Sequence, residues 1–186
     1  GSEVGPSRIR FQKKDVEQIQ LGLGFPSVPR GHADEPALKL LSAILGGTMS
    51  SRLFVEVREK RGLCYTVRTG FDSYEDTGIF SIRAGLDAGR LEEAIKVIGD
   101  ELRKASEFGV TEEELTMVKD NVRGGLSLHL EDSSERAEYY GRQAFFLNKI
   151  EVPPERLKRF EAVTLADVAR VAKEYLRFDK MPLAAI

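Results

Sequence analysis

Apolar residues alternate with polar ones or glycine from Glu17 to Phe25, so Ile19, Leu21, Leu23 and Phe25 share one face, which predicts a half-buried strand. The period then changes. After a loop from Pro26 to Gly31, Leu38, Leu41, Ile44 and Leu45 recur at helical spacing behind the capping residue Asp34, with Pro36 in the first turn and Gly46-Gly47 closing the helix. Ser50 or Ser51 caps a second helix, with Leu53, Phe54 and Val57 inward and a stop at Gly62. Two strands follow, Cys64 to Ser73 and Ile79 to Leu86, and the turn-rich Tyr74-Glu75-Asp76-Thr77-Gly78 between them makes a hairpin.

From there the pattern is helical almost to the end. Leu91, Ala94, Ile95, Ile98, Leu102 and Ala105 stripe a helix from Arg90 to about Phe108. Thr111 with Glu114 forms a capping box for the next, whose stripe is Leu115, Val118 and Val122 and which the Gly124-Gly125 pair is expected to kink. Ser133 to Leu147 predicts a further helix with Ala137, Tyr140, Ala144 and Leu147 inward. Pro154 opens a short helix with Leu157 and Phe160, and Thr164 with Asp167 starts the last, striped by Val168, Val171, Ala172 and Tyr175. Pro182 to Ile186 reads as a closing strand. Strand, two helices, hairpin, several helices and a strand give an α+β fold of two layers, a largely antiparallel sheet packed by helices. Residues 1–14 read as a cloning scar (Gly1-Ser2) and a lead-in, and residues 15–186 as a single α+β domain.

At 186 residues the chain is long enough to bury a core without disulfides or metals. Its 28 basic and 30 acidic side chains leave a formal charge of −2, so nothing at the whole-chain level calls for nucleic acid or an anionic membrane. The single cysteine, Cys64, cannot form an internal disulfide, and no run approaches the ~20 apolar residues of a membrane span. A cytoplasmic protein is expected. The abrupt tail and the scar-like start suggest a piece of a longer protein.

The candidate chemistry sits in Ser50 to Val67. Arg58 ends the second helix and Tyr65 begins the next strand, so a guanidinium and a phenol can be aimed at one point, a combination suited to a peptide carbonyl or to the oxyanion formed when it is attacked. The plainer reading gives Arg58 to the helix dipole and terminal carbonyls, worth ~0.3–1 kcal/mol, and makes Tyr65 an ordinary strand aromatic. The other candidates are weaker. His32-Ala33-Asp34-Glu35-Pro36 carries proline where an inverted zinc motif needs its second histidine, and reads as a helix start. His129 has no ligand partner close by and reads as a surface residue. Two histidines and one cysteine cannot supply four N or S ligands for a structural zinc. Gly46 to Ser51 lacks the lysine of a phosphate loop, Cys64 lacks a histidine and reads as a buried strand cysteine, and Glu59-Lys60-Arg61 reads as a solvated helix end.

Several blocks, in order from about residue 15 onward, resemble the zinc metallopeptidases of the pitrilysin, insulysin and mitochondrial processing peptidase type. They are Gln18 to Phe25, Asp34 to Gly47, Ser50 to Phe54, Arg58-Glu59-Lys60-Arg61-Gly62-Leu63-Cys64-Tyr65, Gly78-Ile79-Phe80, Gly109 to Leu115 and Val163 to Val168. The most specific is the block from Arg58 to Tyr65. The chain is similar to the C-terminal, non-zinc half of such a peptidase. That resemblance implies that zinc belongs to the N-terminal half of the parent, that this piece alone is inactive, and that Arg58 and Tyr65 bind the substrate backbone near the scissile bond. It also implies an extended peptide clamped between the halves, partly as an added strand. The partners it implies are the N-terminal zinc-binding half or a catalytic partner subunit, in one polypeptide or as a homo- or heterodimer. The alternative is a non-catalytic binding or structural subunit that contributes Arg58 and Tyr65 to a separate catalytic partner.

Overall fold

A computed structural model describes residues 18–147 and 149–185; Glu17, the expected scar and lead-in, and the last residue of the expected closing strand lie outside them. Four strands form one antiparallel sheet: β1 (Gln18–Ser27), β2 (Cys64–Ser73), β3 (Gly78–Asp87) and β4 (Leu183–Ala185), in the spatial order β2-β3-β1-β4. The helices are α1 (Glu35–Gly46), α2 (Leu91–Phe108), α3 (Glu112–His129), α4 (Ser133–Leu147), α5 (Pro153–Glu161) and α6 (Leu165–Tyr175). Because side chains alternate along a strand, one face of the sheet gathers Leu21, Leu23 and Phe25 of β1, Phe80, Ile82, Ala84 and Leu86 of β3, and Val67 of β2. The apolar faces of α1, α2 and α6 cover that face, with Leu38, Leu41, Ile98, Leu102 and Val171 fully buried. The expected α+β architecture is present.

β1 runs two residues further than its alternation suggested, through Pro26 to Ser27. Proline is tolerated there because, among the described residues, the bonding on the β4 side ends with the Gly24 N–H on the Pro182 carbonyl at 3.1 Å, before Pro26 is reached. Both capping boxes form: Thr111 accepts from the Glu114 N–H and Thr164 from the Asp167 N–H, and in each case the acid accepts in return from the threonine N–H. The Gly124-Gly125 pair leaves α3 continuous from Glu112 to His129. A methyl group at either glycine meets no heavy atom within 4 Å. Gly124→Ala and Gly125→Ala are therefore expected to stabilise the chain by about 0.5–1 kcal/mol each through the unfolded state, seen as a higher urea midpoint with unchanged slope.

Two expectations need correction. Ala137, Ala144 and Leu147 of α4 are exposed; its one buried residue is Gln143, while Tyr139 and Tyr140 are half-buried. The helix is held by polar contacts, the Tyr139 hydroxyl donating to the Glu151 carbonyl at 3.0 Å and the Gln143 Oε1 accepting from the Glu151 N–H at 2.8 Å. Its apolar spacing finds no core to fill. Asp34, in turn, stands at the start of α1 but caps nothing with its side chain. Its carboxylate instead accepts from the Arg170 guanidinium at 2.5 and 3.1 Å and from the Tyr175 hydroxyl at 2.9 Å, tying α1 to α6.

Arg170 holds the Asp34 carboxyl below the usual carboxylate range, against the opposing effect of burial and with help from Tyr175. Burial, then the hydrogen bond to Asp34, pushes Tyr175 up to about 12. The signs follow. A depressed acid contributes stability above its unfolded value near pH 4 and loses it as the pH falls through the lower folded value. The tyrosine's share is present below about pH 10 and lost as the pH rises towards 12. Asp34→Asn is expected to cost about 1–2 kcal/mol at pH 7, and the gap between variant and native chain should narrow in urea titrations at pH 3.

Candidate functional site

Ser51 is buried, and its hydroxyl donates to the Thr48 carbonyl at 2.6 Å rather than capping a helix. The chain then makes barely a turn of α-helix before Phe54–Glu59 widens into a π-helical turn, in which the Lys60 N–H reaches the Val55 carbonyl. This corrects the regular helix expected here. Gly62, at φ +58°, closes the turn by donating to the Arg58 carbonyl at 2.9 Å, while the Leu63 N–H reaches back to the Val57 carbonyl at 2.9 Å. Leu53, Val57 and Leu63 are fully buried and anchor this segment from beneath. From outside, Arg52 donates through two nitrogens to both oxygens of Glu114, each at 2.6 Å, and to the Gly109 carbonyl at 3.2 Å. Glu114 thus serves its capping box and this fork together, so the start of α3 holds the π-turn in place.

Arg58 leaves the π-turn as an exposed side chain whose guanidinium lies 5.0 Å from the centre of the Phe54 ring. The carbonyl-capping role considered for it is filled by Arg61, which donates to the Glu56 carbonyl at 2.7 Å and to the Glu56 carboxylate at 2.6 Å. Lys60 reaches the same carboxylate at 2.6 Å, and both cations keep Glu56 below the usual carboxylate range. Arg90 fixes the turn further by donating to the Arg61 carbonyl at 3.0 Å. The cations beside Arg58 are engaged. Among the described residues no acceptor takes the donors of Arg58, which meets the Phe54 ring instead.

Tyr65 begins β2 at an irregularity. Cys64 pairs with Leu86 and Thr66 with Gly85, so Tyr65 is the extra residue of a β-bulge. Cys64 and Val67 are both buried against the helices, and the two residues between them both stand out on the opposite side; Tyr65 is 57% exposed. The Cys64 thiol is pushed up by burial, an effect that the charge of nearby Arg58 partly opposes. The π-turn runs straight into β2, with the Leu63 N–H on the Val57 carbonyl, so Arg58 leaves the chain next to the end of β2 that carries Tyr65. Arg58 and Tyr65 are thus both accessible to a ligand, and each is aimed by an irregular element that sequence periodicity does not reveal.

The remaining candidates fall elsewhere. Among the described residues no three His, Cys, Asp or Glu side chains form a group able to hold a metal ion. The donors present do not fit zinc: the His32 Nδ1 accepts from the Asp34 N–H at 3.1 Å, Asp34 is taken by Arg170 and Tyr175, and His129 lies exposed, 3.9 Å from Glu135. No helix of the described residues is long and apolar enough to cross a membrane. A cleft of about 460 Å³ opens between α4, α5 and the tip of the hairpin, remote from Arg58 and Tyr65. Its charges are largely paired, Lys39 with Glu35, Arg159 with Glu151 and Arg142 with Glu138.

The profile of the peptidase M16 inactive domain matches residues 2–122. The chain belongs to this family. An uncharacterized zinc protease of Mycobacterium tuberculosis is 38% identical over 176 residues, which cover 95% of this chain and 40% of the relative. Among solved structures, a protease from Helicobacter pylori superposes with a TM-score of 0.83 at 26% identity, over 93% of this chain and 42% of that one. The peptidase M16 inactive domain from Pseudomonas fluorescens does so with 0.82 at 27%, over 90% and 40%. This M16 inactive domain therefore spans about two-fifths of the length of the relatives it matches.

Proposed function

We propose that this chain is the substrate-recognising C-terminal domain of a zinc-dependent metalloendopeptidase, with the zinc site on a separate N-terminal half. In this reading the Arg58 guanidinium and the Tyr65 hydroxyl donate hydrogen bonds to a carbonyl oxygen of the bound peptide near the scissile bond. Such donors act most strongly where negative charge develops on that oxygen during attack. The observation that carries the reading is that both side chains stand exposed at one end of β2, while every neighbouring cation on the turn is spent on Glu56 or a carbonyl. A partner surface is supported separately by the apolar residues at the end of α4: Phe145, Phe146 and Ile150 are each more than half exposed.

The test supplies the missing half, in one polypeptide or as a second subunit, and follows cleavage of an extended peptide. Zinc-dependent turnover is expected with both halves present and none with this chain alone, and Arg58→Ala and Tyr65→Phe should each depress it. Normal turnover in both variants would remove their assigned role.

A further inference from the structure

The face of the sheet that carries Tyr65 and Thr66 is not the one covered by α1, α2 and α6. Because β2 and β3 are in fixed register beyond the bulge, Arg68 lies directly opposite Arg83, and both belong to this open face and are exposed. Two like charges in this position repel, their Cβ atoms being about 4.5–5.5 Å apart in a cross-strand pair. Among the described residues, no position beside this pair on the face is an acid. On β1 the partner of Arg83 is Gly22, and the adjoining positions of the face are Thr66, Gly70, Ser81, Gly85 and Gln20. Asp72 and Asp87 are each four residues along their strands, about 13 Å away. Among the described residues neither arginine has an ion-pair partner. The neighbours on this face are neutral: the Gln20 amide and Thr66 hydroxyl lie over Gly85 and the Ser81 hydroxyl over Gly70, while Gly22 brings no side chain at all, so no group there cancels the charge of the guanidiniums.

We infer that Arg68 and Arg83 form a subsite for a carboxylate side chain of the bound peptide. A carboxylate set between two guanidiniums accepts from both and cancels a repulsion that the free sheet carries, so acidic residues gain over their isosteric amides. The position follows from the strand. Arg68 lies two residues beyond Thr66 and three beyond Tyr65 on the same face, about 7–10 Å, the reach of two or three residues of extended chain. The acid therefore falls two or three residues from the carbonyl that Tyr65 addresses. This location rests on the peptidase reading above; the affinity of the pair for a peptide carboxylate does not.

Two measurements separate those dependences. In the two-half enzyme, peptides that differ only as Asp against Asn at each position around the cleaved bond are expected to show a preference of about tenfold for Asp at one position, two or three residues from the bond. Arg68→Gln with Arg83→Gln should abolish this preference and leave cleavage of the Asn peptide within about twofold, since neither residue faces the reacting carbonyl. With this chain alone, the arginine Nε–H resonances of positions 68 and 83 should shift on adding the Asp peptide and stay in place with the Asn peptide. Equal handling of the two peptides, or a preference that survives the double variant, overturns the inference. A marked fall in melting temperature in the double variant also overturns it, because the pair would then be serving an acid of the protein itself. Absent cleavage together with selective arginine shifts would instead sink the peptidase reading and leave the subsite standing.

Discussion

Arg58→Ala in the two-half enzyme is expected to lower kcat/KM by about 10²–10³-fold, mostly in kcat, the scale on which a single donor to a developing oxyanion acts. Arg58→Lys should recover little of it, since an ammonium lacks the planar fork of donors. Tyr65→Phe, which removes one neutral hydroxyl and no packing, should cost about 10–100-fold. None of these should disturb folding. Arg58 is exposed, and its stacking on the Phe54 ring is worth about 0.5–1 kcal/mol at such a site. Steady-state kinetics beside a thermal melt make the check, and kinetic loss without a matching fall in melting temperature is the expected pattern. Loss of both together would make Arg58 a structural residue.

Gly78→Ala is expected to cost about 4 kcal/mol or more, a large part of the stability of a domain this size. Gly78 opens β3 opposite Ser27 of β1 and Ser73 of β2, and a methyl group there would stand 2.1 Å from the Val28 carbonyl oxygen and 3.0 Å from the Val28 nitrogen. The obstacle is backbone, so rotation of a side chain cannot relieve it. Nor can the loop retreat easily: Val28 is buried, the Arg30 N–H donates to the Tyr74 carbonyl at 2.8 Å, and the Arg30 guanidinium reaches the Ser73 carbonyl at 3.1 Å. A large drop in urea midpoint or in soluble yield is the expected result. Gly124→Ala, which meets nothing, provides the opposite sign within the same chain.

How far the sequence reveals this molecule depends on the range of the interaction concerned. Both capping boxes and the buried stripes of α1, α2 and α6 are local, and each is present where the pattern places it. Asp34 has every local mark of a cap, yet its partners, Arg170 and Tyr175, are 136 and 141 residues away, and no local rule weighs them. The stripe Ala137, Tyr140, Ala144 and Leu147 is correctly helical in period; period tells which residues share a face, not whether a core lies opposite it. The π-turn differs from a regular helix by one residue in its bonding, a change without compositional signature. The bulge was more accessible. Cys64 and Val67 are apolar residues three apart in a strand, a spacing that strict alternation cannot bury on one side. The Arg68–Arg83 pairing follows once Ser73 is set opposite Gly78, because that register holds for each pair back to Thr66, where the bulge ends it.

β2 forms one border of the sheet, and among the described residues no strand lies beyond it. A straight border of unsatisfied amides and carbonyls invites a second copy of the same chain to zip onto it and begin a fibril. The extra residue at Tyr65 breaks the even spacing of those groups at one end and twists the strand, so a flat intruder loses its match within a few bonds. The same irregularity that turns a tyrosine outward thus guards the molecule against self-assembly.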